Sequence, residues 1–577
     1  MTDGSANPNS IAPAARRASP AAGACFSASL LALVLSFAGI WQHELWTPDE
    51  PREAEIGREM FEAHGSAMPT LGGEPFLEKP PLFVWTMVAS FSLFGVSPGA
   101  ARLPAALFSA AALLAAFVLA ERAARGAASD AAAAGGAGLC AVVVLASMSE
   151  FWSVSHRSIN DTALTAFVAW THVCLLHAWE RRRAADWLVA GLLTGLAFMT
   201  KGVIGSVLAL APPLAAIFLM GERAFALRLG LRAGVASLVA IAAFGAPWAY
   251  ALAQHPGGWR NVYQCVVAQV LARSLGGTAE LSGHTNLFWY YLTQLPLSCA
   301  PWILAVPALF LANVLRRGAQ APRFRALALL IGAGVLLLSI PSGKRGPYLV
   351  PLFPALAALF GGWLAQARAD RRFERITARA LIGVVALAAS GLALFTAGAP
   401  YGAFGHAPAL APFLASGLAP LRWTLVAAAI VTTLFAWFAW KVTSARRDQP
   451  LARAVAIPLL LLLLSSHLLV RPLLDPVKEL KTGALAVARA VPADEPLLAF
   501  APDETTLAVV PFYGGRKVVE LPRENLLAEM ARRGARHLLV MDDGFGRVPE
   551  AARAHLKPVR AIEFTPTRAL LLLEVTP

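Results

Sequence analysis

Charged residues are scarce in this chain of 577 residues, at 15% of the sequence, whereas soluble proteins usually have about a quarter. Hydrophobic residues make up 57%, and the mean hydropathy is +0.59. This deficit of charge excludes a typical soluble enzyme and predicts a membrane protein. The net charge of +14 does not indicate nucleic acid, because Lys and Arg occur in short clusters between apolar runs, as in cytoplasmic loops that face an anionic leaflet. We therefore expect membrane lipids, and no nucleic acid, as partners.

Cysteine is also scarce. The five cysteines are scattered singly, with no CxxC pair and no spacing typical of a zinc site or a disulfide framework. Chemistry based on cysteine is therefore not expected. No internal repeat is visible, which disfavours a secondary transporter because such proteins are commonly built from repeats.

Long apolar runs dominate the rest of the sequence. Residues 1–23 are rich in Pro, Ala and Ser and predict a disordered cytoplasmic N-terminus, and the run from about residue 24 to 41 predicts an uncleaved first span. Twelve further runs lie near residues 102–120, 133–150, 162–179, 186–200, 203–220, 232–252, 287–313, 326–341, 347–365, 378–398, 422–441 and 453–470. We therefore predict an α-helical polytopic membrane protein whose thirteen spans lie within residues 24–471.

One more apolar run, 82–97, is ambiguous. Its length of about sixteen residues is short for crossing ~30 Å of hydrocarbon. If this run lies along the interface, six basic clusters of the later loops all fall on the cytoplasmic side, whereas counting it as a span would place all six outside. We therefore predict that residues 82–97 do not cross, which places the segments 42–101, 151–161 and 253–286 on the outer face.

The same topology places residues 472–577 outside, where they predict a small periplasmic α/β domain. Helices are expected around residues 523–533 and 549–556. Short apolar strands are expected at Leu497–Phe500, Leu507–Phe512, Lys517–Leu521, His537–Met541 and Ala569–Val575.

The first outer loop has the densest charge in the chain. Asp49 and Glu50 follow the first span directly, next to Trp46. A carboxylate in such a half-dry position can have a raised proton affinity, which suits a general base. The alternative is an interfacial helix whose charges form solvated i,i+3 and i,i+4 pairs. Glu78 and Lys79 end the loop before two prolines and could hold a metal, a phosphate or each other.

Several other polar residues lie at the outer ends of predicted spans. Lys201 and the pair Lys344-Arg345 oppose the cytoplasmic bias of basic residues and predict an anion such as a polyprenyl phosphate headgroup, with snorkelling as the alternative for a lone lysine. Asp161 is either a functional carboxylate or the cap of the helix that follows it. His284 is a candidate metal ligand, phosphate donor or ordinary surface histidine.

These motifs resemble a known group of membrane enzymes. The sequence DEPREAEIGREM from Asp49, followed by FLEKP up to Pro80, resembles the first periplasmic loop of the lipid A aminoarabinose transferases and of the wider protein O-mannosyltransferase-like group of GT-C glycosyltransferases. In matching order, Thr200-Lys201-Gly202 resembles the "TKG" of that group, the stretch from His284 to Tyr291 resembles "H…PFWYY", and the stretch from Ser342 to Pro351 resembles "SxKRxxYxLP". The likeness covers about residues 40–360.

The resemblance implies a GT-C fold and an inverting glycosyltransferase in the bacterial inner membrane, with the active site facing the periplasm. The donor would be an aminoarabinose-like sugar or a hexose on undecaprenyl phosphate, and the acceptor lipid A, another glycan or a protein. The alternatives are a protein O-mannosyltransferase-like enzyme and a transporter or flippase of lipid-linked sugars. A transporter would place its polar groups near the bilayer midplane, whereas here they lie at outer ends of spans.

The resemblance also implies roles for individual residues. Asp49 would be the carboxylate that activates or orients the acceptor, with Asp161 as its partner and Glu50 as a further catalytic candidate. Glu78 and His284 match positions that hold a divalent metal, Zn or Mg/Mn, in aminoarabinose transferases, although mannosyltransferase-like relatives work without one. Contacts to the donor phosphate and its lipid are expected from Lys79, Lys201, Lys344, Arg345, Tyr348 and Arg58.

The predicted topology can be tested by cysteine labelling. If residues 42–101 lie wholly outside, Ser66→Cys and Ser97→Cys in a cysteine-free variant should both react with an impermeant thiol reagent added from the outside. Reaction of the Ser97→Cys variant only from the cytoplasmic side would contradict the count of thirteen spans.

Overall fold

The computed structural model describes residues 20–124, 131–183, 185–266, 286–315, 321–398, 419–445, 450–565 and 568–576. Apolar runs in this chain form helices because a helix satisfies its own backbone hydrogen bonds, which lipid cannot do. The helices before the C-terminal sheet are α1 (Pro20–Phe37), α2 (Glu50–Glu62), α3 (Leu82–Phe94), α4 (Pro98–Ala124), α5 (Ala131–Ser147), α6 (Ser149–Val154), α7 (Asp161–Arg181), α8 (Ala185–Lys201), α9 (Val203–Leu219), α10 (Arg223–Ala253), α11 (Trp259–Tyr263), α12 (Tyr290–Ser298), α13 (Val306–Leu315), α14 (Ala321–Ser339), α15 (Phe353–Gln366), α16 (Arg372–Gly398), α17 (Ala419–Ala445), α18 (Ala452–Ser465), α19 (Arg471–Lys478) and α20 (Lys481–Ala490). Short 3-10 segments cover Trp302–Ala305 and Gly346–Leu352, and a π-helical turn covers Ser466–Val470.

The predicted polytopic helical architecture is confirmed, since all thirteen predicted runs fall on helices. Among the described residues, eight helices are long and apolar enough to cross a membrane, and nine if the pair α12 and α13, bent by 100°, is one span. The other four runs form α1, α5, α8 and α9, of 17 or 18 residues each. This length is near the lower limit for a span. The count of thirteen therefore stays a prediction.

Helix α3 corresponds to the ambiguous run. Its 13 residues extend about 20 Å, which is less than the hydrocarbon thickness of ~30 Å. Phe83 and Met87 are buried on one face, whereas Leu93 and Phe94 at its end are exposed. The short length, the single buried face and the exposed end of α3 agree with the predicted position along the interface.

Small residues allow the membrane helices to pack closely, as is common for helices in lipid. A Cβ atom placed on Gly361 of α15 would lie 2.5 Å from the backbone nitrogen of Ala141 in α5. Only glycine therefore fits at this contact, and the two helices form part of the largest buried cluster of the chain.

The C-terminal part forms the predicted α/β domain around a five-stranded sheet. The strands of the chain are β1 (Thr70–Leu71), β2 (Glu74–Pro75), β3 (Leu497–Phe500), β4 (Val518–Leu521), β5 (His537–Met541), β6 (Leu556–Thr565) and β7 (Arg568–Val575), and the domain's helices are α21 (Glu504–Gly514), α22 (Leu526–Arg532) and α23 (Glu550–Arg553). The strand order of the sheet is β4-β3-β5-β7-β6; β3 pairs in parallel with β4 and β5, and β7 pairs antiparallel with β5 and β6. A two-stranded hairpin, β1 and β2, lies in the first outer loop.

Two details of this domain differ from the sequence prediction. The strand predicted at Leu507–Phe512 is wrong, because these residues belong to α21, whose start is capped by the Asp503 carboxylate accepting from the Thr506 N–H at 2.9 Å. A short apolar run does not by itself distinguish a strand from a buried helix. Strand β6 was not predicted, because charged residues and Pro558 interrupt it. Its position at the sheet edge tolerates a proline.

Candidate active site

Arg102 of α4 is fully buried and holds the start of the first outer loop. Its Nε and Nη2 atoms donate to the two oxygens of Glu50 at 2.6 and 3.0 Å. Its remaining hydrogen bonds go to the backbone carbonyls of Ile40, His43 and Glu44. The loop that leaves the first span is thus fixed to the beginning of α4.

Glu50 is equally buried, and both of its carboxylate oxygens accept hydrogen bonds. Besides Arg102, it accepts from the backbone N–H groups of Trp46 at 2.9 Å and Ser158 at 3.0 Å. Burial raises the pKa of Glu50, but the Arg102 guanidinium outweighs this effect and lowers the pKa to about 2. The environment gives Glu50 a structural role and does not favour the catalytic role predicted from the sequence.

Asp49 precedes α2 and remains accessible, with its side chain 22% exposed. Its Oδ2 atom lies 3.1 Å from Nη2 of Arg345, and its Oδ1 atom lies 3.4 Å from Nη2 of Arg52. Partial burial raises the pKa of Asp49, but Arg345, Arg52 and Lys79 together hold it below its usual value. The raised proton affinity that we predicted for the carboxylates at this membrane exit is therefore wrong for Asp49, which is ionised at neutral pH.

Lys79, at the end of the loop, contacts α2. Its Nζ atom lies 2.6 Å from Oε1 of Glu53, which is also 3.4 Å from Nη2 of Arg52. Burial lowers the pKa of Lys79, but Glu53 outweighs this effect and the net shift is upward. Lys79 is therefore charged, and its main partner is Glu53.

Asp161, at the start of α7, and Lys201, at the end of α8, form a second carboxylate–cation pair. Their Oδ1 and Nζ atoms are 2.5 Å apart, and Nζ of Lys201 lies 4.4 Å from the centre of the Tyr348 ring. The Asn160 side chain donates to the Thr200 carbonyl at 3.2 Å, which aligns the two helix ends. These contacts bring together three residues that were predicted from separate motifs.

A small pocket lies beside these pairs. Its polar lining consists of Glu53 and Lys79 together with Asn160 and Thr200, the sequence neighbours of Asp161 and Lys201. Apolar and proline side chains of α2, α3 and the loop complete its wall: Ile56, Pro69, Phe76, Pro80, Phe83 and Val84. In such pairs, the carboxylate can hold an acceptor and the cation can neutralise a phosphate.

Two predicted phosphate ligands are engaged elsewhere. Lys344 is buried, and its Nζ atom donates to the backbone carbonyl of Asn286 at 2.9 Å. Arg58 binds both oxygens of Glu55 at 2.7 Å and also contacts Glu62. These contacts give both cations structural roles within the described residues and do not favour the predicted contacts to a phosphate.

The metal site stays a prediction. Glu78 is half-buried at the end of the loop, whereas His284 lies outside the described residues. No group of three or more His, Cys, Asp or Glu side chains that could hold a metal ion occurs in the described part of the chain. We therefore derive no step through a metal.

The structure adds residues that the sequence did not single out. Arg102 anchors the loop, and Arg52 and Glu53 connect Asp49 to Lys79. Glu150 of α6 accepts from the Ser298 hydroxyl at 3.4 Å, and burial raises the pKa of its carboxyl. The available signal for Glu150 was an isolated carboxylate at the outer end of an apolar run.

The chain is similar in sequence to known proteins over part of its length. Residues 78–250 match the family described as dolichyl-phosphate-mannose-protein mannosyltransferase. The chain is 28% identical over 375 residues to an undecaprenyl phosphate-alpha-4-amino-4-deoxy-L-arabinose arabinosyl transferase of Edwardsiella ictaluri, with 63% of each protein covered. It is 30% identical over 364 residues to a transferase of the same description from Sodalis glossinidius, with 61% of this chain and 62% of the relative covered. The chain thus matches slightly less than two thirds of the length of these relatives.

The fold has a solved counterpart over nearly its whole length. The structure of ArnT from Cupriavidus metallidurans bound to undecaprenyl phosphate has a TM-score of 0.69 and 19% identity, and the match covers 95% of this chain and 98% of that chain. The chain is thus similar in sequence to the aminoarabinose transferases and, over residues 78–250, to the mannosyltransferase family, and it has the GT-C fold of ArnT. The region that matches the family, residues 78–250, contains Lys79, Asp161 and Lys201, whereas Asp49 and Arg345 lie outside it.

Loss of the buried ion pair between Arg102 and Glu50 should affect folding first. At neutral pH Glu50→Gln should lower the free energy of unfolding by about 3 kcal/mol, the equivalent of a pKa lowered from 4.5 to about 2. Because the pKa of Glu50 is lower in the folded than in the unfolded protein, this stabilisation is present above about pH 4.5 and is lost as the pH falls towards 2.

The measurement is the thermal unfolding midpoint in detergent as a function of pH. The difference between wild type and Glu50→Gln should be largest at pH 6–7 and narrow below pH 4.5. Glu62→Gln, an exposed carboxylate on the same helix, is the control. A Glu50→Gln variant with full stability and greatly reduced turnover would instead support the catalytic role.

Proposed function

We propose that the protein is an inverting glycosyltransferase that moves a sugar from undecaprenyl phosphate to an acceptor at the periplasmic face of the inner membrane. The observation that carries this proposal is the convergence of three carboxylate–cation pairs at outer ends of separate elements: Asp49–Arg345, Glu53–Lys79 and Asp161–Lys201. The similar aminoarabinose transferases and the undecaprenyl phosphate bound to the ArnT structure support the same donor class.

The chemistry requires little beyond charge and position. The acceptor oxygen attacks the anomeric carbon from the face opposite the phosphate, and the bond from that carbon to the phosphate oxygen breaks. Its electron pair leaves on the phosphate of the carrier, where Lys201 and Arg345 neutralise the charge. A single displacement inverts the anomeric carbon and needs no covalent intermediate.

Asp49 has the environment of a group that orients the acceptor. Its depressed pKa makes it a weak base but keeps it ionised, so that it can accept a hydrogen bond from an acceptor hydroxyl or hold Arg345 in place for an anionic acceptor. An acceptor phosphate is already ionised at neutral pH and needs no base. A weak base at this position therefore favours a phosphorylated acceptor such as lipid A. The donor sugar would be of the aminoarabinose type, as in the relatives.

The sidedness is part of the proposal. With the basic clusters of the loops on the cytoplasmic side, the three pairs face the periplasm. Mass spectrometry of lipid A and of periplasmic glycoproteins from a deletion strain would identify the acceptor, and loss of a protein-linked hexose would favour the mannosyltransferase-like alternative.

The reaction is tested by release of undecaprenyl phosphate from a sugar-charged donor by the purified protein. Asp49→Asn should lower turnover about 10²- to 10⁴-fold while donor binding is retained, because the variant keeps size but loses charge. Since the pKa of Asp49 lies below its usual value, wild-type turnover should show no titration of this group between pH 6 and 9.

Glu62→Gln, at the end of the helix that Asp49 precedes, is the control and should retain full turnover. Near wild-type turnover of Asp49→Asn would overturn the role of this carboxylate and leave Asp161 as the better candidate. Release of sugar-linked lipid with the glycosidic bond intact would instead indicate a transporter.

The role of Lys201 is tested by donor affinity. Lys201→Ala removes both the partner of Asp161 and a cation for the phosphate, so undecaprenyl phosphate binding should weaken by about 1.5–3 kcal/mol, the range for hydrogen bonds to charged groups. Binding is measured on protein in detergent, with Lys557→Ala, an exposed lysine of the C-terminal sheet, as control. Unchanged affinity in both Lys201→Ala and Lys79→Ala would show that these lysines do not bind the phosphate.

A further inference from the structure

Asp49 lies in a stretch of chain that the C-terminal part of the protein holds on both sides. Before Asp49, the backbone N–H of Leu45 donates to the hydroxyl of Tyr513 at 2.9 Å. Asp475 accepts from the backbone of Glu44 and from the Trp46 indole, both at 2.9 Å. The direction in which the loop enters the site therefore depends on residues about 430 to 470 positions later.

After Asp49, the contact is an ion pair. Nη1 of Arg52 lies 2.6 Å from Oε2 of Glu504, the first residue of α21. The other terminal nitrogen, Nη2, lies 3.4 Å from Asp49 and 3.4 Å from Glu53. Because the guanidinium is planar and rigid, the carboxylate that holds Nη1 also sets the direction of Nη2.

The Arg52 side chain has little freedom to rearrange. It is 13% exposed, and its guanidinium carbon lies 5.4 Å from the centre of the Phe76 ring. Glu504 itself is 53% exposed, so the pair is weak as a source of stability. Its contribution is therefore to geometry rather than to folding.

Helix α21 is placed to deliver this carboxylate. Ala508 is fully buried in one apolar cluster with Ala54 and Ile56 of α2, and Leu507 and Tyr513 pack against the same cluster. Two packed helices thus set the distance between Glu504 and Arg52.

We propose that Glu504 is a positioning residue for Asp49: it fixes the Arg52 guanidinium, and Arg52 holds Asp49 in the orientation in which it pairs with Arg345 and meets the acceptor. The C-terminal domain thereby completes the active site. This inference rests on the proposed transferase function and names a role for the domain within it.

The first test is turnover of the full-length protein with a sugar-charged undecaprenyl phosphate. Glu504→Gln should lower turnover about 3- to 10-fold, because small displacements of a catalytic group cost up to ~10²-fold. Undecaprenyl phosphate affinity should stay within about twofold, since the variant leaves Lys201 and Arg345 in place. Glu520→Gln, an exposed carboxylate on β4 with no ion pair among the described residues, should match wild type.

A double-mutant cycle separates positioning from general destabilisation. If Glu504 acts through Arg52, Glu504→Gln should have no further effect in an Arg52→Gln background. Glu504→Asp, which keeps the charge, should recover part of the turnover. An equal loss in both backgrounds, or wild-type turnover of Glu504→Gln, would overturn the inference.

Hydrogen exchange gives a measure that does not depend on turnover. Amides of residues 47–56 should exchange faster in Glu504→Gln than in wild type and Glu520→Gln, while the membrane helices are unchanged. A wild-type protein inactive towards all undecaprenyl-phosphate sugars tested would contradict the proposed function. In that case faster exchange would still support the Glu504–Arg52 coupling, and unchanged exchange would overturn it.

Discussion

The site depends on one buried ion pair, between Arg102 and Glu50. A buried pair is tolerated only when every polar atom finds a partner, and here backbone groups complete both residues. Glu50 adjoins Asp49, and its second backbone partner, Ser158, lies three residues before Asp161. The pair therefore fixes two distant carboxylates relative to the same membrane helix, α4.

The cations around these carboxylates are neutralised before any donor is bound. Lys79, Lys201 and Arg345 each lie within 3.1 Å of an acidic oxygen. Such pairing lowers the cost of placing charges at the membrane edge, and a phosphate must then compete with the carboxylates for the same cations. Arg345, Arg52 and Lys79 depress the pKa of Asp49, which favours a role in orienting an ionised acceptor over a role in proton removal.

The C-terminal domain is continuous with this network. Asp475 and Tyr513 accept hydrogen bonds from the backbone at the start of the first outer loop, and α21 packs against α2. Hydrogen bonds and apolar burial thus act on the same short stretch of chain. The sequence of the C-terminal domain contains none of the motifs that resemble the family, yet the solved ArnT structure matches nearly the whole chain, including this domain.

The sequence by itself determined that this is a polytopic helical membrane protein, because long apolar runs favour lipid and form helices there. It also identified Asp49, Lys79, Asp161, Lys201 and Arg345, which the structure brings together in pairs. It did not distinguish Asp49 from Glu50, or Arg345 from Lys344, since adjacent residues share one motif but point in different directions. Tertiary structure alone decided these roles, because the deciding partners are distant: Arg102 lies 52 residues from Glu50, and Glu504 lies 452 residues from Arg52. Spacing within a motif carries no information about a partner that only folding brings into contact.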